Sequence, residues 1–487
     1  MLNYALICTL PMATSVLAHV CRKVRVAALL MVLAGLVASL WAAAGAFPDV
    51  GASEIQLSFD PFSRLAYSAL VVLVVLGSVY AWLAGEDDLA PAIGLAMAGF
   101  LGLAFSLSKD LLSSSLVFEF AALFGVLGIG LRSARKIGES LVDRPLAMRY
   151  ISYVVVAGVC LIGAFTLATR FEVTREVAIH HLAFALLSLS LLIALAAFPV
   201  NFWLPKTLRR GGLMSVALVV STLSVGGVWL FVRAYQTYPW LMTDQSTIRA
   251  LMVIATMGTL ATSLMALAQR RLDRIVAYSV SSNAGAVVVG VASGASGGTV
   301  GGIFVLLNYL LAVFLMMVCL DIAYSEGDEL ASESNLADAG FTPGERVADL
   351  GSPSGPSGEL LCGAPVRHVF RRTPITILAL SVGGIALAGT PLTGAFVGRW
   401  MVYEASASQS GYLTLSLIAS SALVFLAYAR FLGGVLLSSA PSPEGVAEAA
   451  GPTAMVLLLA ILLLAAGVYP APILQAISEA IGSMPHL

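Results

Sequence analysis

Residues 374–402 read PITILALSVGGIALAGTPLTGAFVGRWMV. The stretch is long and apolar enough to cross a bilayer as a helix, yet Gly389 and Pro391 fall inside it, about two turns before a lone arginine, Arg399. Proline in mid-span removes a donor and frees carbonyls that lipid cannot satisfy, so a break there needs protein or a cavity to take them up. Working outward, a second interruption stands at residues 196–212, AAFPVNFWLPKTLRRGG, where Pro199 and Pro205 bracket a short aromatic stretch. Two interrupted spans approached from opposite sides predict an inverted repeat, spans 4 to 8 and 9 to 13, with helices 7 and 12 broken.

The rest of the chain supplies the spans that this reading needs. Of 487 residues 59% are apolar and 11% charged, with a mean hydropathy of +0.94; soluble proteins carry about 25% charged residues. The expectation is an all-α polytopic membrane protein with about 14 transmembrane helices, from residues 2–20 to residues 452–480. The first window is read as a retained helix rather than a signal peptide, because its basic cluster (Arg22, Lys23, Arg25) follows the apolar run. Of the 26 Lys and Arg, 19 lie nearest connections after odd-numbered windows and 7 after even-numbered ones. Cytoplasmic loops keep positive charge, so the odd connections are placed inside and both termini outside. A Ser-, Gly- and Pro-rich insertion at residues 324–373, with GSPSGPSG at 351–358, reads as a flexible cytoplasmic loop. Helices 1 to 4 occupy residues 1–107, and residues 452–487 carry helix 14.

Composition also removes several function classes. The 26 basic and 27 acidic residues leave a net charge of -1, so no basic footprint for nucleic acid exists. The cysteines are scattered without ligand spacing, and the five histidines form no metal-binding pattern with Cys or Glu. No cofactor or metal is expected, and any electron carriers belong to other subunits.

The informative residues are then the ionisable ones at membrane depth. Glu119 lies mid-span in LVFEFAALFGVLG, where a carboxylate costs about 2.5 to 3.5 kcal/mol and turns toward protein or water. It is either part of an ion path or a neutral group fastening two helices. Arg399 is either a site group at its helix break or a snorkelling anchor beside Trp400 and Tyr403. Lys206, Arg209 and Arg210 follow the first break as interfacial charges, with Lys206 also a candidate for the path. His180 and His181 read as interface histidines, and Asp60 and Asp321 as solvated residues at helix ends. Ser221, Thr222, Ser224, Asn308 and Tyr309 could hold a water wire.

Several motifs resemble a known family in their order and spacing. They are LSFDPFSR (57–64), KDLLSSSLVFEF (109–120), FPVNFWLPKTL (198–208), ALAQRRLDRIVAYSVSSNAG (266–285) and ALAGTPLTGAFVGRWMV (386–402). Over residues 55–435 the chain resembles the antiporter-like membrane subunits shared by respiratory complex I, hydrogenase-4-type energy-converting hydrogenases and Mrp cation/proton antiporters. The resemblance implies a proton-conducting domain with the inverted five-helix repeat, and partners among other membrane subunits of such an assembly. It also implies a relay: a Glu in helix 5 paired with a Lys in helix 7, a central Lys or His in helix 8, further His or Lys in helix 11, and a Lys or Glu in helix 12. Carried over, these positions fall on Glu119, Ala194, Leu223, then Val305, Tyr309 and Val313, and finally Arg399. Arginine keeps its proton at any accessible pH, and Leu and Val carry none. The expected function is therefore an antiporter-like subunit of a complex-I-like or hydrogenase-4-like assembly, degenerate in its relay, that supplies structure or a modified ion path. The alternatives are a working proton or sodium transporter, and a membrane anchor in another assembly such as a carbon-uptake complex. The expected location is a bacterial or archaeal plasma membrane.

Overall fold

The structure is a computed structural model that describes residues 2–21, 24–44, 57–84, 90–130, 144–210, 212–338, 373–436 and 449–482. Among them it is all-helical. The helices are α1 (Leu2–Val20), α2 (Arg25–Ala44), α3 (Pro61–Leu83), α4 (Ala90–Ser106), α5 (Leu111–Gly130), α6 (Arg144–Thr174), α7 (Val177–Ala194), α8 (Leu204–Arg210), α9 (Leu213–Thr237), α10 (Gln245–Ala268), α11 (Leu272–Ala292) and α12 (Ser296–Asp338). After the undescribed residues come α13 (Pro374–Ala388), α14 (Gly394–Ala407), α15 (Gly411–Leu436), α16 (Ala450–Val468) and α17 (Ala471–Gly482). Among the described residues eleven helices are long and apolar enough to cross a membrane, and Leu6–Val20, Ala90–Ser106 and Pro374–Ala388 are shorter apolar helices.

Burial is inverted relative to a soluble protein. On α5, Leu112, Leu116, Phe120 and Leu127 are exposed, while Ser114 and Ser115 are buried. An apolar outer face with small and polar residues turned inward is stable only where the surrounding medium is itself apolar, which makes this a multi-pass integral membrane protein. α9 and α12 form the centre: α9 packs on α3, α4, α5, α7 and α12, and α12 additionally on α11, α13, α14, α16 and α17. α12 and α14 approach at Gly301 and Gly398, where a side chain on either glycine would overlap the facing helix.

The twelfth window is broken as expected, into α13 and α14, and the seventh is α7 followed by a 3-10 turn at Asn201–Trp203 and the short α8. Other expectations are revised. Pro205 lies within the first turn of α8, where a missing N–H costs nothing, so it starts a helix rather than interrupting one. The last window ends at Val468, and α17 follows as a separate helix that buries Ile477, Ala480 and Ile481 against α3 and α12. α12 continues to Asp338, into the stretch expected to be loop, and residues 339–372 lie outside the described residues. Asp321 therefore sits within a helix, not at its end, and accepts a hydrogen bond from Tyr80 Oη at 2.6 Å.

Candidate functional site

The two helix breaks are built differently. At the first, α7 stops at Ala194, Ala196 adopts a positive φ of 52°, and its neighbour Ala197 donates back to Leu192 O at 2.8 Å. Pro199 lies in this break. The break brings Trp203 against Tyr150 of α6, with ring centroids 5.5 Å apart. These rings, with Ala194, Leu223 of α9 and Glu119 of α5, line a cavity of about 10 Å³. That volume admits about one water.

Glu119 turns toward α6 rather than away from the bundle, and its carboxylate rests on Gly158 so closely that a Cβ there would overlap it. Its Oε1 is buried and accepts no hydrogen bond. Tyr150 Oη, which shares the cavity lining, gives its proton to Ala122 O at 2.9 Å. The cavity lining contains no Lys, Arg or His. The structure thus brings Ala194 and Leu223 to Glu119, as the carried-over positions require, and places an apolar side chain at each.

The second break centres on a cation. α13 ends at Ala388 and is closed by Gly389 in the left-handed region (φ 66°), a conformation in which a Cβ would be strained and would also strike the Arg399 side chain lying across it. Pro391 follows in the connection, which α14 ends at Gly394. Arg399 is 1% exposed. Its Nη1 donates to Ala388 O at 3.0 Å and to Ser421 Oγ, and its Nη2 donates to Leu387 O at 3.1 Å and to Asn283 Oδ1 at 2.8 Å. Asn283 of α11 in turn donates to Leu387 O at 2.8 Å. The guanidinium is therefore not a snorkelling anchor. It takes up the carbonyls that the break frees, where the negative end of the α13 dipole also favours positive charge. Every partner of its hydrogen bonds is neutral.

The remaining candidates divide. Tyr309 Oη is buried and donates to Ser224 Oγ at 2.9 Å, joining α12 to α9 beside Leu223. Asn308 donates to Phe304 O at 2.9 Å, and its buried Oδ1 has no partner and lies against Gly394. Ser221 and Thr222 donate to carbonyls of their own helix, Ala217 O at 2.7 Å and Leu218 O at 2.9 Å. Lys206 is exposed on α8 and does not line the Glu119 cavity.

Sequence reasoning missed three features. Asn283 sits inside a quoted motif, but nothing local marks it as the residue that receives Arg399. Asp60, expected to be a solvated residue at a helix end, pairs with Arg233 Nη2 of α9 at 2.8 Å, and that arginine also lies over the Trp229 ring. His180, His181 and Asp244 converge, although Asp244 is far away in sequence. Asp244 is held below the usual carboxylate range, first by the Ser246 hydroxyl and then by the Ser246 N–H, which its Oδ1 caps at 2.9 Å.

Residues 108–340, which include α5, the first break and α9 to α12, match the family described as NADH:quinone oxidoreductase/Mrp antiporter, TM. Over this segment the chain is similar to the antiporter-like membrane family. It is 28% identical over 484 residues to NADH-quinone oxidoreductase subunit N 2 of Syntrophobacter fumaroxidans, covering 94% of this chain and 93% of that one. It is 26% identical over 303 residues to NADH-quinone oxidoreductase subunit N of Mycobacteroides abscessus, a match spanning 61% of this chain and 52% of that relative. In structure it superposes on a chain of the Mrp complex from Dietzia sp. DQ12-45-1b with a TM-score of 0.74, at 18% identity, covering 99% of this chain and 98% of the other.

Proposed function

We propose that this chain is an antiporter-like subunit of a complex-I-like or hydrogenase-4-like assembly that supplies structure or a modified ion path, its own relay having lost its titratable bases. The observation that carries this reading is the wall of the Glu119 cavity, where Ala194 and Leu223 stand in place of a lysine. A buried lysine can be loaded and released because desolvation lowers its pKa and a nearby carboxylate restores it. Glu119 has no such partner, and Arg399 is a fixed cation tied to carbonyls. The fourteen crossings, the inverted repeat relating the two broken helices, the plasma-membrane location and the external termini belong to the same reading. Cysteines introduced near Gly355 and labelled from one side at a time test its topology.

The second reading is a working proton or sodium transporter. It is favoured by one observation: Glu119 Oε1 is buried, unpartnered and beside a water-sized cavity. Purified chain in liposomes, with an imposed pH or sodium gradient and an internal pH dye, separates the two. The proposed function expects no flux above empty liposomes. Antiport that Glu119→Gln abolishes would overturn it in favour of the transporter.

A further inference from the structure

The N-terminal ends of α7 and α10 meet at a 3-10 turn, Pro239–Met242, well away from both helix breaks in the chain. There His180, His181 and Asp244 each offer one ligand atom, and the three atoms lie within 4.8 Å of one another. His181 Nδ1 is 3.3 Å from Asp244 Oδ2. Asp244 divides its oxygens: Oδ1 accepts from the Ser246 N–H at 2.9 Å and its hydroxyl at 2.7 Å, whereas Oδ2 is buried and accepts no hydrogen bond. His180 is buried, and its Nε2 lies 3.1 Å from Trp240 O. A carbonyl only accepts, so Nε2 carries the proton and Nδ1 keeps its lone pair. Fixing a histidine's tautomer through a backbone carbonyl is how proteins present the other nitrogen to a metal.

We propose that His180, His181 and Asp244 form a binding site for a divalent first-row cation, zinc foremost, that ties α7 to α10. Two imidazoles and a carboxylate with a fourth position left to water is a zinc donor set. Bonds of about 2.0 to 2.1 Å in tetrahedral geometry set ligand atoms about 3.4 Å apart. The His181–Asp244 pair, at 3.3 Å, already has that spacing, and the third atom, within 4.8 Å of both, joins it by a side-chain rotation that closes at most about 1.4 Å. Trp240 and Phe171 flank the His180 ring, with centroids 5.3 Å and 5.7 Å away, and hold it in place from the apolar side. Asp244 thus keeps one carboxylate oxygen covered and free of hydrogen bonds next to an imidazole, on a side chain that is still partly exposed.

The test uses the full-length chain without a histidine tag, purified in detergent and titrated with zinc against a colorimetric chelator. Asp244→Asn keeps the cap of α10, since Asn caps as well as Asp, and removes the anionic ligand. His181→Gln removes the exposed imidazole and leaves the buried His180 in place. The expected result is one saturable site per chain, weakened at least tenfold in each variant, with zinc raising the melting temperature of the parent and not of the variants. Cobalt in place of zinc should give the intensified visible bands of a tetrahedral site. Equal zinc affinity in the parent and both variants, or no saturable binding to the parent, would overturn the proposal and leave His181–Asp244 an ion pair.

Discussion

The two helix breaks answer the same problem, freed backbone groups at membrane depth, in opposite ways. At the first, the chain turns through Ala196 and Pro199, closes with its own amides and buries an acid, Glu119, against a glycine in an apolar cavity. At the second, a permanent cation, Arg399, is spent on two carbonyls, an asparagine and a serine. One break has an acid without a cation, and the other a cation without an acid. A titrating pair needs both within reach of each other, so each break is stable as built but neither holds such a pair.

This contrast can be broken most severely at the arginine. Arg399→Ala leaves Leu387 O, Ala388 O and Asn283 Oδ1 buried without that donor, and should destabilise the protein by about 3 to 5 kcal/mol. Thermal unfolding in detergent is the check. Arg399→Lys should fall between, because an ammonium cannot reproduce the guanidinium fork; equal stability of all three proteins would mean that the break closes without the cation.

The first break can be sharpened by giving Glu119 the base it lacks. Ala194→Lys places an ammonium at the cavity, where it is compensated only if Glu119 is ionised. In a double-mutant cycle with Glu119→Gln, the two changes should couple by about 1 to 3 kcal/mol, the lysine being tolerated better beside Glu than beside Gln. Additive effects would show that position 194 does not address Glu119.

Smaller effects are expected where α12 meets α9 and where Glu119 rests. Tyr309→Phe removes one buried hydrogen bond, to Ser224, and should cost about 1 kcal/mol. Gly158→Ala should displace the Glu119 carboxylate, since the clash is with the far end of a flexible side chain, while changing stability by less than about 1 kcal/mol. A shift in the carboxyl infrared band that is absent in Glu119→Gln reports that displacement. An unchanged band would place the carboxylate elsewhere.

How much of this was legible follows from the range of each effect. Hydropathy is local, so the spans, both interruptions and the intramembrane placement of Glu119 and Arg399 could be read from residue order alone. The motifs also carried the resemblance to a known family, which implies that Ala194 and Leu223 stand at relay positions. Boundaries that depend on polar connections were less legible: α17 and the extension of α12 to Asp338 merge with neighbouring apolar or acidic runs in any window average.

The sequence by itself determined that the chain lives in a membrane, that two of its apolar spans are interrupted, and that an acid and an arginine fall within those apolar spans, because the cost of polar groups in lipid is set residue by residue. Tertiary structure alone decided the partners. Arg399 meets Asn283, Asp60 meets Arg233, and His180 and His181 meet Asp244, each across a sequence separation that no local pattern spans. A buried charge announces that it needs a partner, but which side chain supplies one depends on the helices that pack beside it.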